Sequence, residues 1–501
     1  MFSISLKPMP GKRFLLFLFF LSCQLTARAG FVYDANCIDA YKAIISLRIP
    51  EAKLLIQKEK QLAPDNGIIV LLENYVDYFS LLASENKSDY ERLSAYKSAR
   101  LSGLEGNDKN SPFYLFSQAE VDLQWAFLKM KFGDYLSSAL DAKKASNLLK
   151  ENAKKYPDFL PNQKSLGLVN FIFGSVPASV KGIARFLGIN GDVATGLKQL
   201  EDVRAALPKS KYGFYYDEVM FFLCTIEIDA RRDNKAYPKL IGYLDNMDKN
   251  SLLKAFLQGH IAAKTGHNDE AIDYFEACPR GSQYINWPAM DYQLGNCKLN
   301  RLDNDAPVYL EKYINEFKGI NYIKDSYLKL GYYYLLQNNE EKYKSYMTLV
   351  KKKGFGIDEK DKQALNEAND TKPDLDLLKA HLFFDGGYYD KALAILEGKD
   401  VAKLTLLRDK IEYYYRLGRI YDKINKTSEA LLNYQRTINV GKASRYYYAA
   451  NAALNMGRIC EEKRDFKKAA DYYNETIDMK DYDQQGSIEN EAKAGLKRVG
   501  G

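Results

Sequence analysis

Little in this sequence is arranged for covalent chemistry. Its three histidines are His260, His267 and His381. His260 and His267 share a helix face near Cys278, a donor set that zinc accepts, but no carboxylate or second cysteine completes the spacing. Gly191 to Gly196 followed by Lys198 approximates the phosphate-cradling pattern G-x-x-x-x-G-K-[ST]. Here the lysine falls one residue late, no Ser/Thr follows it and no strand precedes it, so a turn between helices is expected instead. The serine-hydrolase and zinc-protease signatures are absent, and paired acids such as Glu461 and Glu462 suit a solvated helix face. The expectation is a protein without catalytic residues, bound metal or cofactor.

The remaining reactive type is cysteine. Of the six cysteines, Cys23 lies in an N-terminal segment expected to be removed; the other five, Cys37, Cys224, Cys278, Cys297 and Cys460, are widely spaced, odd in number and free of any Cys-x-x-Cys. That pattern predicts small buried apolar side chains rather than a disulfide framework, with Cys278 and Cys297 the one pair to consider.

The elements that position these residues follow from composition. The chain has 501 residues, 46% hydrophobic and 27% charged, with 39 tyrosines, 14 prolines and 2 tryptophans. That suits a globular, helical chain. Residues 1–29 form a block of their own. Lys7, Lys12 and Arg13 precede the apolar run Phe14 to Leu21, and Ala27-Arg28-Ala29 supplies a small-x-small cleavage pattern. The run is too short to span a bilayer, which takes roughly 20 residues. A secretory signal cleaved after Ala29 is expected, placing the chain in the periplasm or envelope. Leu21-Ser22-Cys23 leaves a minor lipoprotein option through Cys23. Loss of Lys7, Lys12, Arg13 and Arg28 brings the net charge from +7 to +3, which argues against nucleic acid as the main ligand.

A period of 36–39 residues dominates the rest. Gly259, Gly295 and Gly331 are evenly spaced, as are Gly418 and Gly457, and each sits in a recurring set of small and aromatic positions. Tyr414, Leu417, Gly418, Tyr421, Ala430 and Tyr434 make one set. Ala453, Met456, Gly457, Cys460, Ala469 and Tyr473 repeat it, and Ala255, Leu257, Gly259, Ala262, Ala271 and Phe275 stand upstream. A further unit fits Ala380, Phe383, Ala392 and Leu396, and another Ala40, Ala43, Ala52 and Ile56. Each set describes two helices crossing closely, with Gly or Ala where the backbones touch. Such a hairpin cannot bury its own apolar face and must stack on its neighbours.

Residue spacing in these units resembles the tetratricopeptide repeat, over most of residues 36–480. The resemblance implies an all-α, right-handed superhelix, a tetratricopeptide-type α-solenoid of stacked hairpins. The expected divisions are 30–250, with a divergent glycine-rich hairpin at 165–200; an array at 251–357; a polar, extended connection at 358–373; and a second array at 374–501. Residues 165–203 carry a second likeness. Gly167, Asn170, Pro177, Gly188, Gly191, Asp192, Gly196, Leu197 and Leu200 resemble the central segment of a eukaryotic tetratricopeptide family that includes the inclusion-body clearance proteins. Ile189 stands where that family usually has phenylalanine, and that family lacks a signal peptide.

The tetratricopeptide resemblance also implies a binding face. The residue after each glycine points into the concave groove, which here gives His260, Asn296, Tyr332, Arg419 and Arg458. Four residues earlier stand Phe256, Tyr292, Leu328, Tyr415 and Leu454. An aromatic stripe edged by Arg419 and Arg458 suits an extended peptide. The lysines with which related proteins clamp a terminal carboxylate are missing at the earlier position. The function expected is thus a non-catalytic envelope scaffold binding protein or peptide partners; the alternative is an envelope protein that binds glycan or lipid, with tyrosines stacking on sugars.

Overall fold

A computed structural model of the chain describes residues 30–175, 188, 190–230 and 234–500. The expected signal segment, Cys23, Ile189 and the turn at Pro177 lie outside the described residues. Regular structure among the described residues is helical, apart from one isolated bridge between Gly30 and Asn66.

Helices come in antiparallel pairs. Leu252–Lys264 pairs with Asn268–Glu276, Ala289–Arg301 with Ala306–Glu316, and Ile323–Leu336 with Glu340–Lys352. Leu375–Asp385 with Tyr389–Glu397, Leu407–Lys423 with Thr427–Gly441, and Tyr448–Glu462 with Phe466–Asp478 continue the series. Each turn is made the same way. One residue just past the first helix takes a left-handed conformation: Gly266, Leu302, Asn338, Gly387, Asn425 or Arg464. An Asp or Asn side chain then caps several of the second helices, as Asn339 does for Lys342 N and Asp465 for Lys468 N. The pairs lock through the glycines. A Cβ on Gly259 would meet the Phe275 ring at 2.5 Å, on Gly295 Leu310 Cγ at 2.8 Å, and on Gly457 the Tyr473 ring at 2.6 Å. The helix Gln485–Arg498 caps the stack, and its Gly495 covers the other side of that Tyr473 ring.

In the glycine-rich hairpin, Leu160–Gly174 crosses Val193–Ala206. Backbone meets backbone there: a Cβ on Gly174 would lie 2.6 Å from Val193 N, and one on Gly191 2.5 Å from Asn170 O. These glycines are a helix crossing. Asp192 caps the second helix through Thr195 N at 2.8 Å, so a carboxylate already occupies the place where a phosphate loop would put its ligand. The long apolar helix Gly67–Ser84 has the length and composition to cross a membrane, yet most of it is buried in the core of this region.

The stretch 358–373 differs from expectation. Glu359–Asn369 is a helix, not an extended connection. It packs on both helices of the 323–352 hairpin through Ala364, Ala368 and the buried Asp361. With only alanines and an aspartate on its inner face, it has no hydrophobic periodicity for a sequence reading to find. Asp361 has a structural task. Its carboxylate accepts Tyr322 N at 2.6 Å and Asp325 N at 3.1 Å, capping a neighbouring helix whose own cap position, Tyr322, is left-handed and makes no capping hydrogen bond with its side chain.

The stack also folds back on itself. Leu375–Asp385 packs against both Ala289–Arg301 and Ile323–Leu336. Gly387 lies directly on the Gly266 carbonyl, where no Cβ fits. Beside it, the Tyr388 hydroxyl donates to Asp269 at 2.9 Å and accepts from Asn268 at 3.1 Å.

Candidate functional site

The first helices of successive hairpins touch one another: 252–264 on 289–301, that on 323–336, then 375–385, 407–423 and 448–462. Close packing of one layer and splaying of the other curves the stack toward the first helices. The residue after each glycine lies on this inner layer, and its neighbours set its chemistry.

His260 Nε2 lies 2.9 Å from Asp229 Oδ1, and its ring stacks on Phe256. Phe256 in turn packs on Trp287 at 4.4 Å. Asn296 is half-buried and its Oδ1 has no hydrogen-bond partner. Tyr332 bonds Glu367 through a short contact. The Arg419 guanidinium lies 4.4 Å from the centre of the Phe384 ring, beside Asp385. Arg458 pairs with Glu491 and with Asn455 at 3.1 Å. Tyr292 and Tyr415 are elsewhere. At 0% and 1% exposure they are core, Tyr415 against Tyr434 and Tyr448, and Tyr292 against Tyr313 and Tyr322. Helix phase explains the difference. A residue four back lies about 40° toward the glycine side, which faces the partner helix, whereas three back lies about 60° the other way. Lys329, Arg416 and Asn455 occupy that second position, and the spacing rule passed over them.

A cavity of about 320 Å³ opens on this layer, lined in part by Tyr332, His381, Arg408, Glu412, Arg416 and Tyr447. Its charges are paired within the wall. Arg416 Nε donates to Glu412 at 2.6 Å, and Arg408 donates to Asp409 and to the carbonyls of Thr371 and Lys372. Burial would raise the Asp385 carboxyl, but His381, Arg419 and Lys329 hold it well below the usual carboxylate range.

A second polar cluster lies in the N-terminal half. Lys164, fully buried, reaches Glu218 at 2.6 Å and Glu120 at 3.1 Å. Tyr41 and Tyr75 donate to the same glutamates, as does Ser165. Burial, opposed by Lys164 and reinforced by Glu120, raises the Glu218 carboxyl. Lysine, carboxylates and hydroxyls close on one another here and behave as a satisfied core network.

The other chemical candidates separate. His267 stacks on Tyr237 at 3.7 Å and meets Thr265, away from the Asp229 partner of His260. All five described cysteines are free and buried, Cys278 and Cys297 among them. Asp34, Cys37 and Glu59 lie close enough together to hold an ion. Burial, with Glu59 and Asp34 beside it, raises the Cys37 thiol far above its ordinary value, which opposes thiolate ligation.

The tetratricopeptide repeat pattern matches residues 255–278 and 411–439. No curated protein sequence matches the chain. Solved structures with similar helical repeats include IFIT1, a monomeric mutant with Gppp-AAAA, at 14% identity, 90% coverage of this chain and 76% of that one, TM-score 0.27. The APC/C hetero-tetramer Cut9-Hcn1 matches at 11% identity over 92% and 95%, TM-score 0.23, and yeast Tom70 at 11% over 90% and 85%, TM-score 0.25. At such scores no functional argument passes from them. What the local match and the hairpins establish together is that this chain carries tetratricopeptide repeats at residues 255–278 and 411–439.

Proposed function

We propose that the chain is a non-catalytic scaffold, exported to the periplasm or envelope, that holds an extended segment of a protein partner along its first-helix layer. The observation that carries this reading is the alignment of polar side chains on one continuous layer: the half-buried His260, Asn296, Arg419 and Arg458 and the buried Tyr332 come from five of the six hairpins. An extended peptide meets such a row at regular intervals, with side chains setting specificity and fixed polar groups taking its main chain. The closed hydrogen bonding of the Lys164 cluster and the burial of every described thiol agree with a non-catalytic role. Export rests on the charge, apolar run and small residues of 1–29. The likeness of 165–203 to the inclusion-body clearance family agrees with a scaffold role and supplies no catalytic residue.

The test is a pull-down from envelope extract with the parent chain and an Arg419→Glu, Arg458→Glu variant, both checked for native melting. Partners captured by the parent and lost by the variant support the groove. The same partners on both would place binding elsewhere, and none on either would sink the scaffold reading.

A further inference from the structure

Two lysines stand near each other on the inner layer, neither of them in a direct ion pair. Lys360, from the first turn of the Glu359–Asn369 helix, reaches back to the 289–301 helix, its Nζ 3.2 Å from the Tyr292 hydroxyl. The ammonium stands 5.3 Å from the ring centres of both Tyr292 and Tyr322, which stack at 4.8 Å. Lys329 projects from the 323–336 helix at the position three before Tyr332. Among the described residues, neither Lys329 nor Lys360 has a carboxylate within ion-pair distance.

The carboxylates nearby are engaged. Asp229 holds His260, Asp325 accepts the Tyr292 hydroxyl at 2.6 Å, Asp358 accepts the main-chain N–H of Lys360 at 2.8 Å, and Asp385, beside Lys329, pairs with His381 at 3.2 Å. Burial, with Lys264 and Lys329 beside it, lowers the Lys360 ammonium to about 8 despite Asp325 and Asp358. An added anion would relieve that cost.

Beside these lysines stand two buried polar atoms with no partner, His260 Nδ1 and Asn296 Oδ1. They occupy the same position in adjacent hairpins. Packed helices stand 8–10 Å apart, a step that an extended chain covers in about three residues. One strand laid along the layer would therefore pass both side chains in turn.

We propose that the groove around Asn296 receives an acidic stretch of extended polypeptide, Lys329 and Lys360 taking its side-chain carboxylates while His260 and Asn296 bond its main chain. This rests on the peptide-scaffold reading and adds the chemistry of the partner. Ammonium groups on flexible stems meet single carboxylates as point charges, and main-chain bonding at fixed intervals selects a polypeptide over a free anion.

The test is fluorescence anisotropy on the full chain with a capped, fluorescein-labelled peptide of alternating Glu and Ser, about twelve residues long, and its Gln–Ser counterpart. Roughly tenfold or tighter preference for the acidic peptide is expected, weakening with salt and lost in Lys329→Gln, Lys360→Gln. Equal affinity for the two peptides overturns the proposal, as does a double variant that melts like the parent and still prefers glutamate. Binding that requires an uncapped C-terminus would assign the lysines to a terminal carboxylate, and tighter binding of single-stranded DNA would assign them to phosphate; either overturns it. If the acidic peptide fails while the arginine variant still loses its partners in the pull-down, this inference falls and the scaffold reading stands.

Discussion

The ring of Tyr434 fills the space that a side chain at position 418 would need: a Cβ on Gly418 would stand 2.6 Å from Tyr434 Cδ1. Both residues are buried in one hairpin, and neither can change size alone. Gly418→Ala should destabilise the chain by about 1–3 kcal/mol through overpacking. Tyr434→Leu, costly by itself, should recover part of that loss when combined with it. Urea unfolding of the two single variants and the double gives the coupling; strictly additive penalties would contradict this packing.

Removal of Lys164 leaves Glu120 and Glu218 buried without their cation. Lys164→Met should cost about 3–5 kcal/mol. The Glu218 carboxyl is already raised in the folded chain. A raised carboxyl stabilises most at pH below its ordinary range, and loses that contribution as pH rises through its folded value. Without Lys164 the value climbs further. The penalty should thus be largest near neutrality and shrink toward about pH 5, as unfolding at the two pH values would measure. A pH-independent penalty would mean that the glutamates do not take up the proton.

Burial raises the Asp361 carboxyl from 3.8 to about 6, against the pull of the N–H groups of Asp325 and Tyr322. The folded chain therefore binds this proton more tightly than the unfolded chain. Its stabilising contribution is present below 3.8 and lost as pH rises through about 6. Asp361→Asn does not titrate. The stability gap between parent and variant should be widest near about pH 4 and narrower above 7. A gap constant over this range would show that the carboxyl titrates normally.

The buried thiols give a simple chemical prediction. Burial raises Cys224 and Cys297, the latter to about 12, so neither offers thiolate at neutral pH. Ellman titration of native protein should detect almost none of Cys37, Cys224, Cys278, Cys297 and Cys460, and denaturant should release all five. A pair that stays unreactive after unfolding, with the mass of a disulfide, would contradict the free state of Cys278 and Cys297.

The repeat was legible because its signals are local and redundant. Gly418, Asn425 and Tyr434 fix a crossing, a left-handed turn and a filling ring within one hairpin, and Gly457, Arg464 and Tyr473 restate them. The first-helix layer was legible only in part. The position after the glycine gave a row of inner-layer residues, while the step of four drew Tyr292 and Tyr415 from the core. Lys360 carried no signal, since it belongs to a helix outside the repeat whose inner face is alanine. Glu120, Lys164 and Glu218 come from three separate helices, and nothing in their spacing brings them together; only tertiary packing does.

The seat of Gly387 on Gly266 has a mechanical consequence. A linear stack of hairpins is a spring, in which each coil feels only its neighbours and tension unwinds them one by one. Here Tyr388 is tied to Asn268, 120 positions away, with two hairpins enclosed in the loop between them. Tension on the chain ends would reach this staple before the enclosed hairpins could peel. Stretch is then confined to the coils outside it, and the first helices on either side of Asn296 keep their spacing while the ends flex.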